Sequence, residues 1–292
     1  MKVSANGISI EVDDQGPANA EPLLLIMGLG MQLLGWPEEL VQTLVAQGFR
    51  VIRFDNRDIG LSQHFDHLGV PSLPLAAMRH LLRMKVTSPY SVADMAADAV
   101  GVLDALGVPS AHICGASMGG MIAQHMAAEH PTRVRSLTLM MTSSGARHLP
   151  QAQTKVQRAM MLRPDGRDPA AVVAHLQRLW GIIGSPAYPP DPARLKQRLQ
   201  AMVSRSWHPA GTLRQLLAIA ADGDRTPLLA RIQVPTRIIH GELDPLIPVA
   251  AGHDLAARIN GAVADYVPGM GHDLPLPLLA RFAEGIKVNA GR

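Results

Sequence analysis

One cysteine, Cys114, stands in 292 residues, so no disulfide can close within the chain and a reducing cytoplasm is the expected compartment. Aromatic residues are scarce at 3% and charged residues reach only 17%. With hydrophobic residues at 47%, that balance excludes a disordered chain and indicates a packed globule. The net charge is +3, without a long basic run or a basic-aromatic alternation, which argues against nucleic acid as a partner. No apolar run is long enough to cross a bilayer, and residues 1–7 lack the apolar stretch of a secretory signal. What the few aromatics do not fill, 15 methionines can. Methionine suits either an adaptable core or a pliable apolar pocket.

The length suits one α/β domain with an inserted subdomain. Ile8-Ser9-Ile10-Glu11-Val12 alternates like an edge strand. Leu23-Leu24-Leu25-Ile26-Met27 is an unbroken apolar run, as in a central parallel strand covered on both faces. Further strands are expected at 51–54, 111–114, 136–141, 236–240 and 262–267. A helix should start near Pro37 and end by Gly48. Another should span 91–106, with Ser91 and Asp94 placed as a capping box and Gly107 as its stop. The alternation of strands and helices indicates a mostly parallel sheet with right-handed crossovers. Between 145 and 235 the strand rhythm stops. Helical segments near 151–162, 169–183, 192–206 and 209–220 predict a helical cap over 145–233, inserted into a core formed by 1–144 and 234–292.

The segment Gly115-Ala116-Ser117-Met118-Gly119 lies between a buried strand and a helix with apolar spacing. A serine between glycines at a sharp strand-to-helix turn is a nucleophile elbow, where strain lifts the hydroxyl above the sheet edge. Taken alone, the same residues also describe a glycine-rich turn with an N-capping serine.

A serine hydroxyl needs a base to take its proton, best a histidine whose other ring nitrogen is fixed by a carboxylate. Asp244 follows the 236–240 strand within Gly241-Glu242-Leu243-Asp244-Pro245, and His272 follows the last strand within Gly269-Met270-Gly271-His272. All three residues therefore fall on loops at one sheet edge, where open α/β proteins bind ligands. Glu242 is a competing acid, and Asp244 could instead cap a helix near Val249. The developing oxyanion needs donors, expected at the backbone N–H of Met118 and of Leu29 in the loop after the first central strand. Gly28 and Gly30 could equally serve only to turn the chain there.

Other signatures fail. Gly28-x-Gly30 lacks the third glycine of a dinucleotide loop, because Leu33 stands there. No Gly-Lys-Ser/Thr loop and no His-Glu-x-x-His occurs. His64 and His67 form an H-x-x-H pair that reads as a solvated loop, so no metal is expected. The stretch 73–85, with Arg79, Arg83 and Lys85 opposite an apolar stripe, reads as a lid-edge helix in preference to a membrane-touching one. Cys114 reads as inert packing within its strand.

Over almost its whole length the chain resembles the α/β-hydrolase family. Asp55-Asn56-Arg57-Asp58-Ile59-Gly60-Leu61-Ser62 is similar to that family's D-x-R-G-x-G-x-S turn, with Asp58 in place of the usual glycine. Met27 stands where many members carry histidine. These departures, with Gly35-Trp36-Pro37, resemble the branch that contains aclacinomycin methylesterase. The resemblance implies ester hydrolysis without a cofactor, with Leu29 and Met118 as oxyanion donors.

The expected function is a serine carboxylesterase acting on a small-molecule ester through Ser117, Asp244 and His272. A perhydrolase or haloperoxidase, a C–C bond hydrolase and a non-catalytic ligand receptor remain as alternatives, and a homodimer remains open. Trp36, Met141, Trp180 and Trp207 are pocket candidates that core packing would explain equally well.

Overall fold

The computed structural model describes residues 1–70, 72, 74, 76, 78–79, 82, 84–166 and 168–291. Within the helix expected over 73–85, positions 73, 75, 77, 80, 81 and 83 lie outside the described residues, Leu73 and Arg83 among them. An eight-stranded sheet forms the centre, in the order β1-β2-β4-β3-β5-β6-β7-β8. The strands are β1 (Lys2–Ala5), β2 (Ile8–Gln15), β3 (Glu21–Ile26), β4 (Phe49–Phe54), β5 (Ala111–Ala116), β6 (Val134–Met140), β7 (Thr236–Gly241) and β8 (Val263–Val267). From β4 to β8 every neighbouring pair is parallel, while β1 and β2 join antiparallel.

β2 is not the edge strand its alternation predicts, because β1 covers its outer side. The hairpin turns at Asn6-Gly7, both with positive φ (49° and 76°). An Asn-Gly pair reaches that conformation readily and matches the twist of the strands it joins.

Side-chain alternation along β3 sends Leu24 and Ile26 to one face and Leu23 and Leu25 to the other. On the first face they meet α2 (Val92–Ala105) and α3 (Met118–Glu129), through residues such as Met95, Ala99 and Ile122. On the second they meet α1 (Glu38–Ala46) and α10 (Leu279–Asn289), through Leu40, Leu44, Phe282 and Ile286. Two covered faces explain why β3 reads as a continuous apolar run. The N-terminus of α2 carries the expected capping box, the Ser91 hydroxyl accepting from the Asp94 amide and the Asp94 carboxylate accepting from the Ser91 amide.

Between β6 and β7 the chain forms α4 (Thr154–Met161), α5 (Pro169–Ile183), α6 (Pro192–Arg205), α7 (Pro209–Asp222) and the single turn α8 (Thr226–Leu229). Proline opens α5, α6 and α7 at a position where its missing N–H removes no helical bond. Asp168 and Asp191 cap the first two of these. α5 and α6 share a small core of their own, Val172, Val173, Leu199 and Val203. α9 (Ala250–Arg258) follows β7.

Asp58 ties this helical segment to the sheet domain. Its φ of 71° lies in the left-handed region, which explains why glycine is favoured at this turn and why aspartate, which tolerates that region, can replace it. Its fully buried carboxylate accepts two hydrogen bonds from the equally buried Arg214 of α7 (2.7 and 2.8 Å) and one from the Tyr90 hydroxyl (2.9 Å). Burial alone would raise the Asp58 carboxyl, but the bonds from Arg214, the Phe65 amide and Tyr90 outweigh it and hold the group below its ordinary range. Removing one member of such a pair typically costs 3–5 kcal/mol, because the other charge stays buried. Arg214→Met should therefore lose about 3–5 kcal/mol of stability in urea unfolding at neutral pH, and a loss under about 1 kcal/mol would contradict this account.

His125 of α3 makes the second tie, its ring nitrogens 2.9 Å from Asp222 at the end of α7 and 3.1 Å from Glu129. Burial pulls the imidazole down, yet the two carboxylates prevail and its pKa is raised. A raised folded value stabilises fully below the unfolded pKa of about 6.5 and fades as pH climbs through the folded value. The stability gap between wild type and His125→Gln should be about 1–3 kcal/mol at pH 5.5 and shrink by pH 9. Urea midpoints at the two pH values check this; a gap that is constant or widens with pH contradicts it.

Candidate active site

Ser117 sits between β5 and α3 with φ 54° and ψ −120°, a conformation that costs energy for a residue bearing a Cβ and persists only where its surroundings enforce it. The neighbouring glycines allow that enforcement. A Cβ on Gly119 would lie 2.0 Å from the Ile26 carbonyl oxygen, and one on Gly115 would lie 2.2 Å from the Gly119 carbonyl oxygen. The turn is therefore pressed against β3 and against its own helix. The Ser117 amide donates to the Met140 carbonyl (2.9 Å), and the Thr142 hydroxyl donates to the Ser117 carbonyl (2.7 Å).

The loops after β7 and β8 bring Asp244 and His272 to this point. His272 Nε2 is 3.0 Å from Ser117 Oγ, and His272 Nδ1 is 2.6 Å from Asp244 Oδ2. With the Nδ1 proton donated to the carboxylate, Nε2 is the acceptor facing the serine hydroxyl. The other carboxylate oxygen, Oδ1, accepts from the Leu246 and Ile247 amides at 2.9 and 2.8 Å. Asp244 thus caps the following turn and orients the histidine at once. Glu242, the competing acid, is exposed.

Residues without a local signature hold these loops. The His272 amide donates to the Ile183 carbonyl (2.8 Å), and the Gly271 amide donates to Ser185 Oγ (2.8 Å). The Ser185 hydroxyl in turn donates to Asp273, whose carboxyl is pushed up by burial. The end of α5 therefore clasps the histidine loop across 86 residues of sequence. Beneath Asp244 lies the fully buried His240, whose Nε2 donates to the Ile247 carbonyl (2.8 Å). Burial lowers its pKa and keeps the ring neutral.

Gly28 packs so closely that an added Cβ would fall 3.0 Å from that of Ser117, which sets the loop after β3 against the elbow. The Gly30 amide donates to Gln215 Oε1 (2.9 Å), and Gln215 Nε2 donates to the Arg57 carbonyl (2.9 Å). The first amides of a helix have no acceptor within it, which leaves that of Met118 at the start of α3 pointing outward. Leu29 lies between the two anchored glycines.

Trp180 and Trp207 line a cleft of about 50 Å³ together with Gly30, Met31, Ile59 and Thr212. Trp36 and Met141 are buried in the core on the α1/α10 face of the sheet. A larger hollow of about 420 Å³, bordered by Leu68, Arg79, Val86 and Leu217, has none of Ser117, Asp244 and His272 in its lining. Cys114 is fully buried beside Met140, and burial pushes its thiol pKa up, away from reactivity. No helix among the described residues is long and apolar enough to cross a membrane.

The chain is 30% identical over 293 residues to rhodomycin D methylesterase DauP of Streptomyces sp. (strain C5), covering 92% of this chain and 90% of that protein. It is 26% identical to 3-oxoadipate enol-lactonase 2 of Acinetobacter baylyi, covering 88% and 84%. Among solved structures, the enol-lactonase from Burkholderia xenovorans LB400 superposes with a TM-score of 0.77 at 22% identity, over the full length of both chains. The model of the alpha/beta hydrolase fold matches residues 21–275. The chain belongs to the α/β-hydrolase fold family, among relatives that are esterases and related hydrolases.

Proposed function

We propose that the protein is a serine carboxylesterase acting on small or medium carboxylic esters through an acyl-enzyme. The observation that carries this reading is the unbroken chain from Ser117 Oγ through His272 to Asp244, at 3.0 and 2.6 Å. Ser117 attacks the ester carbonyl as His272 Nε2 takes its proton, and the imidazolium so formed is stabilised by Asp244. The same proton goes to the departing alkoxide. Water then enters, loses a proton to His272 and releases the acid, restoring Ser117.

The tetrahedral oxyanion is held by the Met118 and Leu29 amides. One such donor is typically worth about 3 kcal/mol of transition-state stabilisation, and its backbone origin puts it beyond ordinary side-chain substitution. No step needs a metal or redox group. We assign 1–144 and 234–292 to the catalytic core and 145–233 to a cap over it, with Trp180 and Trp207 facing substrate. Similarity to a rhodomycin D methylesterase makes methyl esters the first natural-type substrates to assay. A lactone is an ester closed into a ring, so the likeness to an enol-lactonase lies within the same chemistry.

Ser117→Ala and His272→Ala should each lower kcat on short p-nitrophenyl esters about 10⁶-fold, with folding verified by circular dichroism. Full turnover by either folded variant would end the proposal. Asp244→Asn leaves the shape but favours the wrong imidazole tautomer, and should lower kcat about 10⁴-fold. Labelling by a fluorophosphonate, lost with Ser117→Ala, gives an independent measure of the nucleophile.

A further inference from the structure

The H-x-x-H pair of the sequence does not act together. His67 lies against the Phe65 ring, whereas His64 stacks on His208, 142 and more residues away from the loop they meet on, with ring centroids 3.8 Å apart and planes within 2°. Asp66 completes a cluster in which His64, Asp66 and His208 each offer one ligand atom, all within 4.8 Å of one another.

The hydrogen bonds around these rings fix which nitrogens carry protons. His208 Nδ1 lies 2.8 Å from the Asp58 carbonyl oxygen, and His64 Nε2 lies 3.1 Å from the Gly60 carbonyl oxygen. A carbonyl can only accept, so each of these nitrogens is an N–H donor. In the neutral rings the remaining nitrogens, His208 Nε2 and His64 Nδ1, then present lone pairs. Yet His208 Nε2 stands 2.8 Å from Asp66 Oδ1. Two acceptors at that distance repel unless a proton joins them or a cation bound by both lies alongside.

The local charge points the same way. Arg214 gives two bonds to Asp58 and one to the Gly69 carbonyl (2.6 Å), and reaches Asp66 Oδ1 with a single longer contact of 3.2 Å. Asp58 and Asp66 thus share the one guanidinium of Arg214, which leaves a net negative charge beside the two imidazoles. Histidines whose second nitrogen donates to a carbonyl have the orientation and tautomer seen in metal-ligating imidazoles. Two imidazoles and a carboxylate suit the borderline divalent ions, zinc above all.

We propose that His64, Asp66 and His208 bind one divalent transition-metal ion, which fastens the loop after the Asp55–Ser62 turn to the residue just before α7. His208 immediately precedes α7, and Thr212 and Gln215 of that helix touch Gly30. The ion therefore acts as a structural pin between the helical segment and the sheet domain. None of its ligands belongs to the Ser117–His272–Asp244 chain, although His208 also borders the cleft lined by Trp180 and Trp207. Bringing three ligand atoms to one ion at about 2.0–2.2 Å requires the stacked rings to tilt. Asp66 is exposed and His64 only half-buried, so the loop has room to do so.

Equilibrium dialysis of the full, tag-free chain against Zn²⁺ at pH 7.5, after EDTA treatment and removal of the chelator, tests this. One ion per chain is expected, and Co²⁺ in its place should give a visible absorption band. His64→Gln and Asp66→Asn should weaken binding about tenfold or more, while His148→Gln, beside Asp254 elsewhere on the surface, should leave it unchanged. Failure to bind one equivalent, or binding undiminished in His64→Gln and Asp66→Asn, would overturn the site. Absence of a bound ion would assign the gap between His208 and Asp66 to a proton. Because His64 and Asp66 are not core residues, circular dichroism of these variants should match wild type and keep the comparison valid.

Discussion

The contact between Gly119 and the Ile26 carbonyl is the constraint from which the site follows. A Cβ there would need the two strands and the helix to separate, since backbone would be met at 2.0 Å. Contact this close forces the chain leaving β5 to turn within one residue, and Ser117 takes the strained conformation that results. The strain is sustained by the burial of β3, β5 and α3 around it. Once the hydroxyl is fixed at the sheet edge, only loops leaving the carboxyl ends of parallel strands can reach it. Asp244 and His272 arrive on two such loops.

The helices between β6 and β7 hold the loops around that edge. Ser185 and the Ile183 carbonyl hold the His272 loop, Gln215 holds the loop after β3, and Arg214 holds Asp58. Each is a polar contact made in a buried or half-buried place, where an unpaired partner costs about 1–3 kcal/mol and more if charged. The arrangement makes the geometry at Ser117 depend on a segment that carries none of the three residues in contact there.

Much of this was legible in the sequence because it is local. The β3 run, the Ser91–Asp94 cap, the prolines opening α5 to α7, and glycines flanking Ser117 and His272 each leave a mark within a few residues. The first strand escaped because β1 is only four residues long, too short to display a period, although Asn6-Gly7 was a usable hairpin signal. The contacts of Ser185, Arg214, Gln215 and His208 could not be read. Their partners lie 86 to 185 positions away, and a serine or arginine on a helical segment has no pattern that names a distant mate. For the same reason Trp36 and Trp180 looked alike in sequence, yet one is packed under the sheet and the other faces a cleft.

Aspartate at position 58 has a bearing on how this fold can be recombined. Where glycine fills that turn there is no carboxylate, and the helices above are under no obligation to supply a cation. Here the side chain and Arg214 form a fully buried ion pair. Exchanging the helical segment with a homologue that has glycine there and no matching arginine would leave Asp58 unpaired in one hybrid and Arg214 unpaired in the other. The two positions can diverge only in step, which makes them a molecular latch on modular exchange.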